Sequence, residues 1–332
     1  MRAALLLGTG GPDMLEVRED VPRPTCGPAE VLVEVSACGV NNTDINTRTG
    51  WYGSPTGWVG GLSFPRIQGA DISGRVVDVG TTGAHDLVGR RVLVDPWIRS
   101  SSGADWRDHA AYLGSEVDGG FAEYCVVPAT NVHPVDSQLS DVELATIACS
   151  WSTAEHMLTR VGLAAGEHIA ITGASGGVGS ALVQLARARG ARVTAVTSTG
   201  KQAAVADLGA HEVRLRHEAP SAQDHFDVVA DVVGGPDTGR WWSALRRGGR
   251  YVVSGAIAGP TASLDLRTLY LNDLTLVGAT VFEPRVFAAV VRHVESGEVR
   301  PLVAASYPLE RIHEAQADFE AKQHVGSIVI TL

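Results

Sequence analysis

The pattern of hydrophobic and polar positions changes near residue 141. Before that point apolar and polar residues alternate over short runs, as in Val31–Ser36, and glycine and proline separate the runs. Alternation with a period of two is typical of half-buried β-strands. The segments 73–80, 91–95 and 122–127 are further short runs of this kind. The first ~130 residues therefore predict a β-rich domain.

From residue 141 onwards, helical spacing alternates with continuous apolar runs. The segment 141–161 predicts a helix, and apolar strands are predicted at 168–172, 192–196, 227–233 and 251–254, with helices at 179–189 and 203–208. This order predicts a parallel sheet covered by helices on both faces. A helix at 285–295 and a strand at 326–331 follow. We expect an α/β fold in which a Rossmann domain, residues 151–285, is inserted into a substrate domain formed by 1–150 and 286–332.

A glycine-rich turn, ITGASGGVGSALVQLARARGA at 171–191, lies between an apolar strand and an amphipathic helix. Its residues Ala174, Gly176 and Gly179 stand at the G-x-G-x-x-G positions of a dinucleotide-binding loop. Glycines there let backbone N–H groups approach a pyrophosphate at the start of a helix. A turn whose glycines serve packing alone is the alternative. The predicted cofactor loop comprises Ala174, Ser175, Gly176, Gly177, Val178 and Gly179.

The end of the second strand bears on the choice of cofactor. A site for NADH expects Asp or Glu about 20 residues after the loop, on the ribose 2′-hydroxyl. This chain has Thr197, Ser198 and, shortly after them, Lys201. No carboxylate repels a 2′-phosphate, Ser198 offers a donor and Lys201 a positive charge. The sequence therefore predicts NADPH, although such residues are also ordinary loop chemistry.

The amino-acid composition argues against several classes of function. The formal net charge of -10 argues against a nucleic-acid surface, which needs a basic face. No apolar stretch approaches the ~20 residues that span a bilayer. The cysteines, Cys26, Cys38, Cys125 and Cys149, lie far apart and form no C-x-x-C motif. We expect free thiols and a cytoplasmic protein.

Several longer motifs resemble one family over nearly the whole chain. They are VLVEVSACGVNNTDINTRTGWY, FPRIQGADISGRVVDVG, ACSWSTAEHML, the glycine loop and YPLERIHEAQADFEAKQHVGSIVIT. Together they resemble the medium-chain dehydrogenase/reductase superfamily. The resemblance implies a GroES-like β-rich catalytic domain and a Rossmann domain. It also implies a homodimer, and the apolar strand predicted at 274–280 is the expected edge of contact.

Further cofactor contacts are expected at the ends of later strands. The segments 231–235 and 253–256 end successive strands at the sheet edge where nucleotides bind. The resemblance places two residues after the last strand near the nicotinamide, and adds one on the helix that opens the domain. The expected residues are Val233, Gly255, Ala256, Val281, Phe282 and Thr153.

Zinc enzymes of this superfamily hold a catalytic metal with three side chains. The resemblance puts Asn41, Ala70 and Cys149 at these positions. Alanine has no donor atom and asparagine binds zinc poorly, so no metal is expected. The 95–120 segment lacks the cysteines of a structural zinc lobe, and Asp105, Asp108 and His109 do not fit such a pattern. What remains is similar to zinc-independent quinone oxidoreductases and enoyl reductases, where Asn also stands at the Asn41 position.

Without a Lewis acid, reduction of a quinone or a conjugated C=C is easier than oxidation of an alcohol. Asn41, Thr43 and Tyr52 are candidate hydrogen-bond donors to the developing oxygen anion, and Asp44 is expected to orient them. Each also has a structural alternative as a turn cap or a core residue. Trp51, Trp58 and Trp97 can line a flat pocket or pack in the core. An alcohol or aldehyde dehydrogenase and a non-catalytic NADPH-binding protein are the alternative functions.

Overall fold

The computed structural model describes residues 1–53, 62–99, 107, 110–218, 220–221 and 224–332. These residues form two compact units. The first unit comprises Met1–Cys149 and Glu283–Leu332, and the second comprises Ser150–Phe282.

The strands are β1 Ala3–Leu6, β2 Leu15–Arg18, β3 Glu30–Val40, β4 Arg66–Ile67, β5 Asp71–Val79, β6 Arg91–Val94, β7 Trp97–Ile98, β8 Ala111–Tyr112, β9 Tyr124–Pro128, β10 Val132–Pro134, β11 His168–Ile171, β12 Arg192–Thr197, β13 Glu212–Leu215, β14 Phe226–Asp231, β15 Leu245–Val253, β16 Thr275–Gly278, β17 Val303–Pro308 and β18 Ser327–Thr331. The α-helices are α1 Asn42–Thr49, α2 Asp141–Leu144, α3 Ser150–Arg160, α4 Gly177–Ala188, α5 Gln202–Ala206, α6 Thr238–Ser243, α7 Leu266–Leu271, α8 Pro284–Glu295 and α9 Ile312–Ala321. None of these helices is long and apolar enough to cross a membrane.

The first unit is built around the long strand β3. Its main sheet has the order β10-β6-β5-β3-β18-β17, with β9 also paired to β3. Alternate residues of β3, such as Val31, Val33 and Val35, enter a buried apolar core. The antiparallel register sets Gly39 opposite Asp71. The end of β3 and the start of β5 therefore meet, and this junction carries the polar side chains of the site.

The second unit is a six-stranded parallel sheet. Its order, β13-β12-β11-β14-β15-β16, is that of a doubly wound nucleotide-binding sheet, because the chain moves outwards from β11 in both directions. The short β13 was not predicted. The predicted fold class is confirmed: an α/β Rossmann-type sheet accompanies a β-rich GroES-like unit.

The single helix predicted over 141–161 is wrong. A capping box at Ser140 begins α2, but the chain leaves the helix after Leu144 and α3 starts at Ser150. Between them the backbone N–H of Cys149 donates to the carboxylate of Asp71 at 2.5 Å instead of to a helical carbonyl. Tertiary hydrogen bonding thus interrupts a segment whose periodicity favours a helix.

Candidate active site

The glycine loop joins β11 to α4 in the second unit. Gly173 has φ +60°, which favours glycine, and a Cβ at Gly179 would lie 2.2 Å from the Gly173 carbonyl oxygen. Gly176 caps α4 without a side-chain hydrogen bond, and a Cβ there would meet nothing closer than 3.6 Å. The chain therefore needs Gly173 and Gly179 for its own packing. Gly176 instead leaves open the space beside the first N–H groups of α4, where a pyrophosphate fits.

A buried carboxylate, Asp231, fixes the loops at the carboxyl ends of three neighbouring strands. It accepts hydrogen bonds from the Thr172 hydroxyl at 2.6 Å and from the Tyr251 phenol at 2.5 Å. The backbone N–H groups of Val233 and Gly234 donate to the same carboxylate at 2.8 and 3.0 Å. The predicted contact Val233 is thereby held in a defined loop. This role of Asp231 in fixing the loops was not predicted from the sequence.

The end of β12 carries two cations. Lys201 closes the turn after β12, with its N–H donating to the Ser198 carbonyl at 3.3 Å. The N–H of Arg216 donates to the Thr197 carbonyl at 2.9 Å, which brings the residue after β13 to the same edge. Burial, followed by the charge of Arg216, lowers the pKa of Lys201. The hydroxyl of Thr197 is buried and, among the described residues, has no hydrogen-bond partner.

Two acidic side chains near Arg216 bind another cation. Glu212 and Asp224 both bind Arg214, at 2.7 and 2.9 Å. Arg216 is exposed, and its guanidinium is in no ion pair within the part of the chain that the structure describes. Arg216 was not predicted as a cofactor contact because β13 was not recognised in the sequence. Its parallel pairing to β12 is the signal that would have placed it.

The remaining predicted cofactor residues lie in the same unit. Gly255 and Ala256 follow β15, and Val281 and Phe282 follow β16, so all four leave the carboxyl edge of the sheet. Phe282 is 1% exposed and packs against His156, with ring centroids 6.0 Å apart. Ser198 is half-buried, and Thr153 is half-buried on α3.

Asn41 lies at the junction of β3 and β5 in the first unit and caps α1. Its side-chain amide donates to Asp71 at 2.7 Å and to the Gly39 carbonyl at 3.4 Å. Both amide hydrogens are therefore used within the protein. The backbone N–H of Asn41 donates to Asp44 at 2.7 Å, so this residue ties two carboxylates together.

Asp44 is 1% exposed and occupies an orienting position. Its carboxylate accepts the N–H groups of Asn41 and Gly69, at 2.7 and 3.2 Å. Burial and, more weakly, the charge of Asp71 raise the pKa of Asp44 to about 7. Burial also raises the pKa of Asp71 to about 6. Both carboxylates hold backbone and amide groups in place, and neither forms an ion pair with a residue in the described ranges.

Tyr52 lies beside Thr43, which is half-buried near the start of α1. The Tyr52 oxygen accepts a hydrogen bond from the Asn46 amide at 3.2 Å and is also hydrogen-bonded to the Thr43 side chain. Burial raises the pKa of Tyr52, so the phenol is neutral near pH 7. The structure brings Asn41, Thr43, Asp44 and Tyr52 to one helix and the turn after it.

The residues present do not fit a catalytic zinc. Ala70 is fully buried, and the amide of Asn41 is bonded to Asp71. Burial raises the pKa of the Cys149 thiol well above its ordinary value, and this thiol is hydrogen-bonded to Tyr112. A catalytic zinc needs three protein ligands, and a cysteine among them binds as the thiolate. In the described ranges, no group of three His, Cys, Asp or Glu side chains could hold a metal. Asp105, Asp108 and His109 lie outside those ranges.

Trp51 and Trp97 have different surroundings. Trp97 is 4% exposed and packs edge-on against Tyr112, with centroids 4.7 Å apart, so its core alternative applies. Trp51 is 44% exposed. Trp58 lies outside the described residues. All four cysteines are free thiols.

Comparisons with known proteins agree with this architecture. Residues 27–137 match the alcohol dehydrogenase GroES-like domain, and residues 200–330 match the zinc-binding dehydrogenase family. The human quinone oxidoreductase is 29% identical, covering 95% of this chain and 92% of its own length. An alcohol dehydrogenase from Geobacillus stearothermophilus is 32% identical, covering 96% of each chain.

A solved structure from Sinorhizobium meliloti 1021, which carries the provisional name alcohol dehydrogenase, is 45% identical. It superposes with a TM-score of 0.93 and covers 100% of this chain and 96% of its own. Relatives that are named for either activity therefore match this chain over nearly its whole length, which includes the nucleotide-binding sheet described above. The chain belongs to the medium-chain dehydrogenase/reductase superfamily and is an NAD(P)-dependent oxidoreductase.

Proposed function

We propose that the protein is a zinc-independent, NADPH-dependent reductase that transfers hydride to a quinone or a conjugated C=C. The proposal rests on the side chains at the three positions where zinc enzymes of the superfamily have metal ligands. Ala70 supplies no donor, Asn41 is bonded to Asp71, and the Cys149 thiol is bonded to Tyr112. Without a metal to stabilise an alkoxide, an electrophile that is already conjugated is the easier substrate.

The preference for NADPH rests on charge at the end of β12. Lys201 and Arg216 are close enough to repel each other, and the carboxylates of Glu212 and Asp224 are bound to Arg214. A 2′-phosphate would relieve this repulsion, whereas the 2′-hydroxyl of NADH would not. NADPH supplies the hydride when bound. The buried Thr197 hydroxyl offers one further hydrogen bond at the same edge.

Proton delivery is assigned to Tyr52. Its oxygen accepts a hydrogen bond from the Asn46 amide and is hydrogen-bonded to the Thr43 side chain, and these two contacts fix the position of the phenol. Asn41 and Asp44 hold the start of α1, from which Thr43 projects. A neutral phenol can donate a hydrogen bond to a developing oxygen anion and then transfer its proton.

The direct test is oxidation of NADPH and NADH against quinones, enones, enoyl thioesters and, in reverse, alcohols, with and without a chelator. We expect chelator-resistant turnover of a conjugated acceptor with NADPH. Chelator-sensitive oxidation of an alcohol would instead support alcohol dehydrogenase activity, which the relative from Sinorhizobium meliloti favours as the second candidate by its name.

Cofactor preference can be tested without turnover because the chain has only two lysines, Lys201 and Lys322. Reductive ¹³C-methylation gives one resonance for each, besides the N-terminus. Addition of 2′,5′-ADP should shift the Lys201 resonance, and 5′-AMP should shift it much less. Lys322 serves as the internal control. Equal shifts with both nucleotides would contradict the assigned phosphate contact.

We also propose a homodimer formed through β16. This strand ends the sheet order, and its backbone edge is unpaired in the described chain. An apolar surface adjoins it, with Leu266, Tyr270 and Leu271 each more than half exposed and Leu276 38% exposed. An unprotected edge beside apolar residues fits a second copy of the same edge.

The oligomeric state tests this proposal by light scattering after gel filtration. Leu276→Pro should produce a monomer, because the N–H of Ala279 donates to β15, and by alternation the N–H of Leu276 faces the free edge, from which proline removes it. Val88→Lys is the control, since Val88 is 48% exposed in the other unit. A wild-type monomer, or a dimer that survives Leu276→Pro, would refute the interface.

A further inference from the structure

Two buried carboxyl groups, those of Asp44 and Asp71, lie next to Ala70. They are 1% and 2% exposed. All four of their oxygens accept N–H groups: the backbones of Asn41 and Gly69 bind Asp44, and the Asn41 amide and the Cys149 backbone bind Asp71. Such donors favour the ionised form but bring no formal positive charge. The junction of β3 and β5 therefore holds negative charge that its hydrogen bonds do not cancel.

Neither Asp44 nor Asp71 is part of an ion pair among the residues that the structure describes. Three arginines of the same unit bind other carboxylates: Arg48 binds Glu320, Arg66 binds Asp118 and Arg99 binds Asp95. A buried negative charge without a partner is costly, so a group that supplied positive charge would be favoured there.

The side chains around the carboxyls are neutral. Burial is the main reason that the pKa values of Cys149 and Tyr112 are raised, and the charge of Asp71 raises both further. The field of the carboxylates therefore reaches the side chains beside Ala70 and opposes any additional negative charge. A developing oxygen anion would meet the same opposition.

Gln68 provides independent evidence that the junction lacks a hydrogen-bond donor within the described part of the chain. Its amide nitrogen donates to the Asp44 backbone carbonyl at 2.7 Å, which sets the orientation of the amide. The amide oxygen is buried and accepts no hydrogen bond from the described residues. The junction thus holds a buried acceptor that has no donor among the described residues, in addition to the two carboxylates, and this favours a group with positive charge or an N–H nearby.

Building on the proposed function, we propose that the preferred electrophile is cationic: a conjugated iminium, in which a positively charged nitrogen takes the place of the carbonyl oxygen. Hydride from NADPH forms a C–H bond at the electrophilic carbon. The π electrons move to nitrogen and neutralise it, and the nicotinamide is oxidised. No oxygen anion forms. The carboxylates therefore stabilise the bound cationic substrate, and they do not destabilise the product, because the product nitrogen is neutral.

The expected preference is substantial. One unit charge about 10 Å from a carboxylate, at an effective dielectric constant of ~20, changes a binding or rate constant about ten- to twentyfold. The two carboxylates act in the same direction. A matched cation should therefore bind at least about tenfold more tightly than a neutral molecule of the same shape.

The test compares phenyltrimethylammonium with its neutral isostere tert-butylbenzene by calorimetry on the NADPH-bound protein, whose dihydronicotinamide ring is uncharged, at about pH 8.5, where both carboxyls are ionised. Turnover is compared between N-methyldihydroisoquinolinium and α-tetralone. Asp71→Asn should reduce the preference for the cation about tenfold. Asp86→Asn, which removes an exposed charge of the same unit, is the control and should leave it unchanged.

Equal or weaker binding of the ammonium ion by the wild-type protein refutes the inference, even if Asp71→Asn does not fold. Tighter binding of the ammonium ion that persists in Asp71→Asn but is lost in Asp86→Asn also refutes it. If no quinone, enone or iminium is reduced, the proposed function fails, while calorimetry still decides the preference for charge.

Discussion

The carboxyl of Asp71 makes a prediction about how stability depends on pH. Burial raises its pKa from 3.8 to about 6. A carboxyl whose pKa is raised in the folded state stabilises the fold below the unfolded pKa, and this contribution is lost as pH rises through the folded pKa. At about 1.4 kcal/mol per pKa unit, the ionised carboxylate costs about 3 kcal/mol above pH ~7 relative to the protonated group.

Asp71→Asn replaces this carboxyl with a group that does not titrate. The asparagine oxygen can accept only one of the two N–H donors, from Asn41 and Cys149, and its amide faces the other. The substitution should therefore cost about 1–3 kcal/mol at pH ~4, where the wild-type carboxyl is largely protonated. Between pH ~4 and pH ~7 only the wild type loses stability through this group. The free energy of unfolding of the variant should therefore rise by about 3 kcal/mol relative to that of the wild type.

Urea unfolding, followed by tryptophan fluorescence and circular dichroism at one protein concentration, measures this difference at each pH. Asp86→Asn is the control, and its difference from wild type should not narrow as pH rises. A difference for Asp71→Asn that is constant with pH, or that grows as pH rises, would show that the carboxyl is not desolvated in the folded state.

The remaining predictions concern the cofactor loop and the proton donor. Gly176→Ala should leave the melting temperature nearly unchanged but weaken NADPH binding at least about tenfold, since its Cβ meets only the space beside α4. Gly179→Ala should reduce both, because its Cβ lies 2.2 Å from the Gly173 oxygen; calorimetry and thermal melts would separate the two. Tyr52→Phe should lower kcat about 10²-fold with little change in KM, and unchanged steady-state rates would remove Tyr52 from the mechanism. Lys201→Ala should raise KM for NADPH about tenfold and leave KM for NADH unchanged.

Local patterns were sufficient where local forces decide the structure. The glycine loop follows from backbone geometry, and the strands β11, β12 and β14 follow from apolar runs that are buried on both faces. The break between α2 and α3 did not follow from the sequence, because it depends on Asp71, which is distant along the chain. The short β13 carries charged residues at two of its four positions, so its pattern resembles a loop. Arg216 was missed with it.

The candidate catalytic residues show the same division. The motif at 39–44 identified Asn41, Thr43 and Asp44, yet it did not show that the Asn41 amide is bonded to Asp71. That bond depends on the register between β3 and β5, which the sequence does not display. Hydrogen-bond direction therefore had to come from the structure, which shows that both amide hydrogens of Asn41 are used within the protein.

Loss of metal ligands and retention of buried carboxylates have opposite electrostatic effects, and their combination defines this site. A cation at the ligand positions would offset Asp44 and Asp71 and stabilise an oxygen anion. With Ala70 and the bonded Asn41 in place, the carboxylates remain while that cation has no ligands. By the mechanism proposed above, an acceptor that gains negative charge depends on the neutral donor Tyr52, so Tyr52→Phe should slow its reduction. An acceptor that begins positively charged needs no such donor, so Asp71→Asn should slow its reduction and Tyr52→Phe should not.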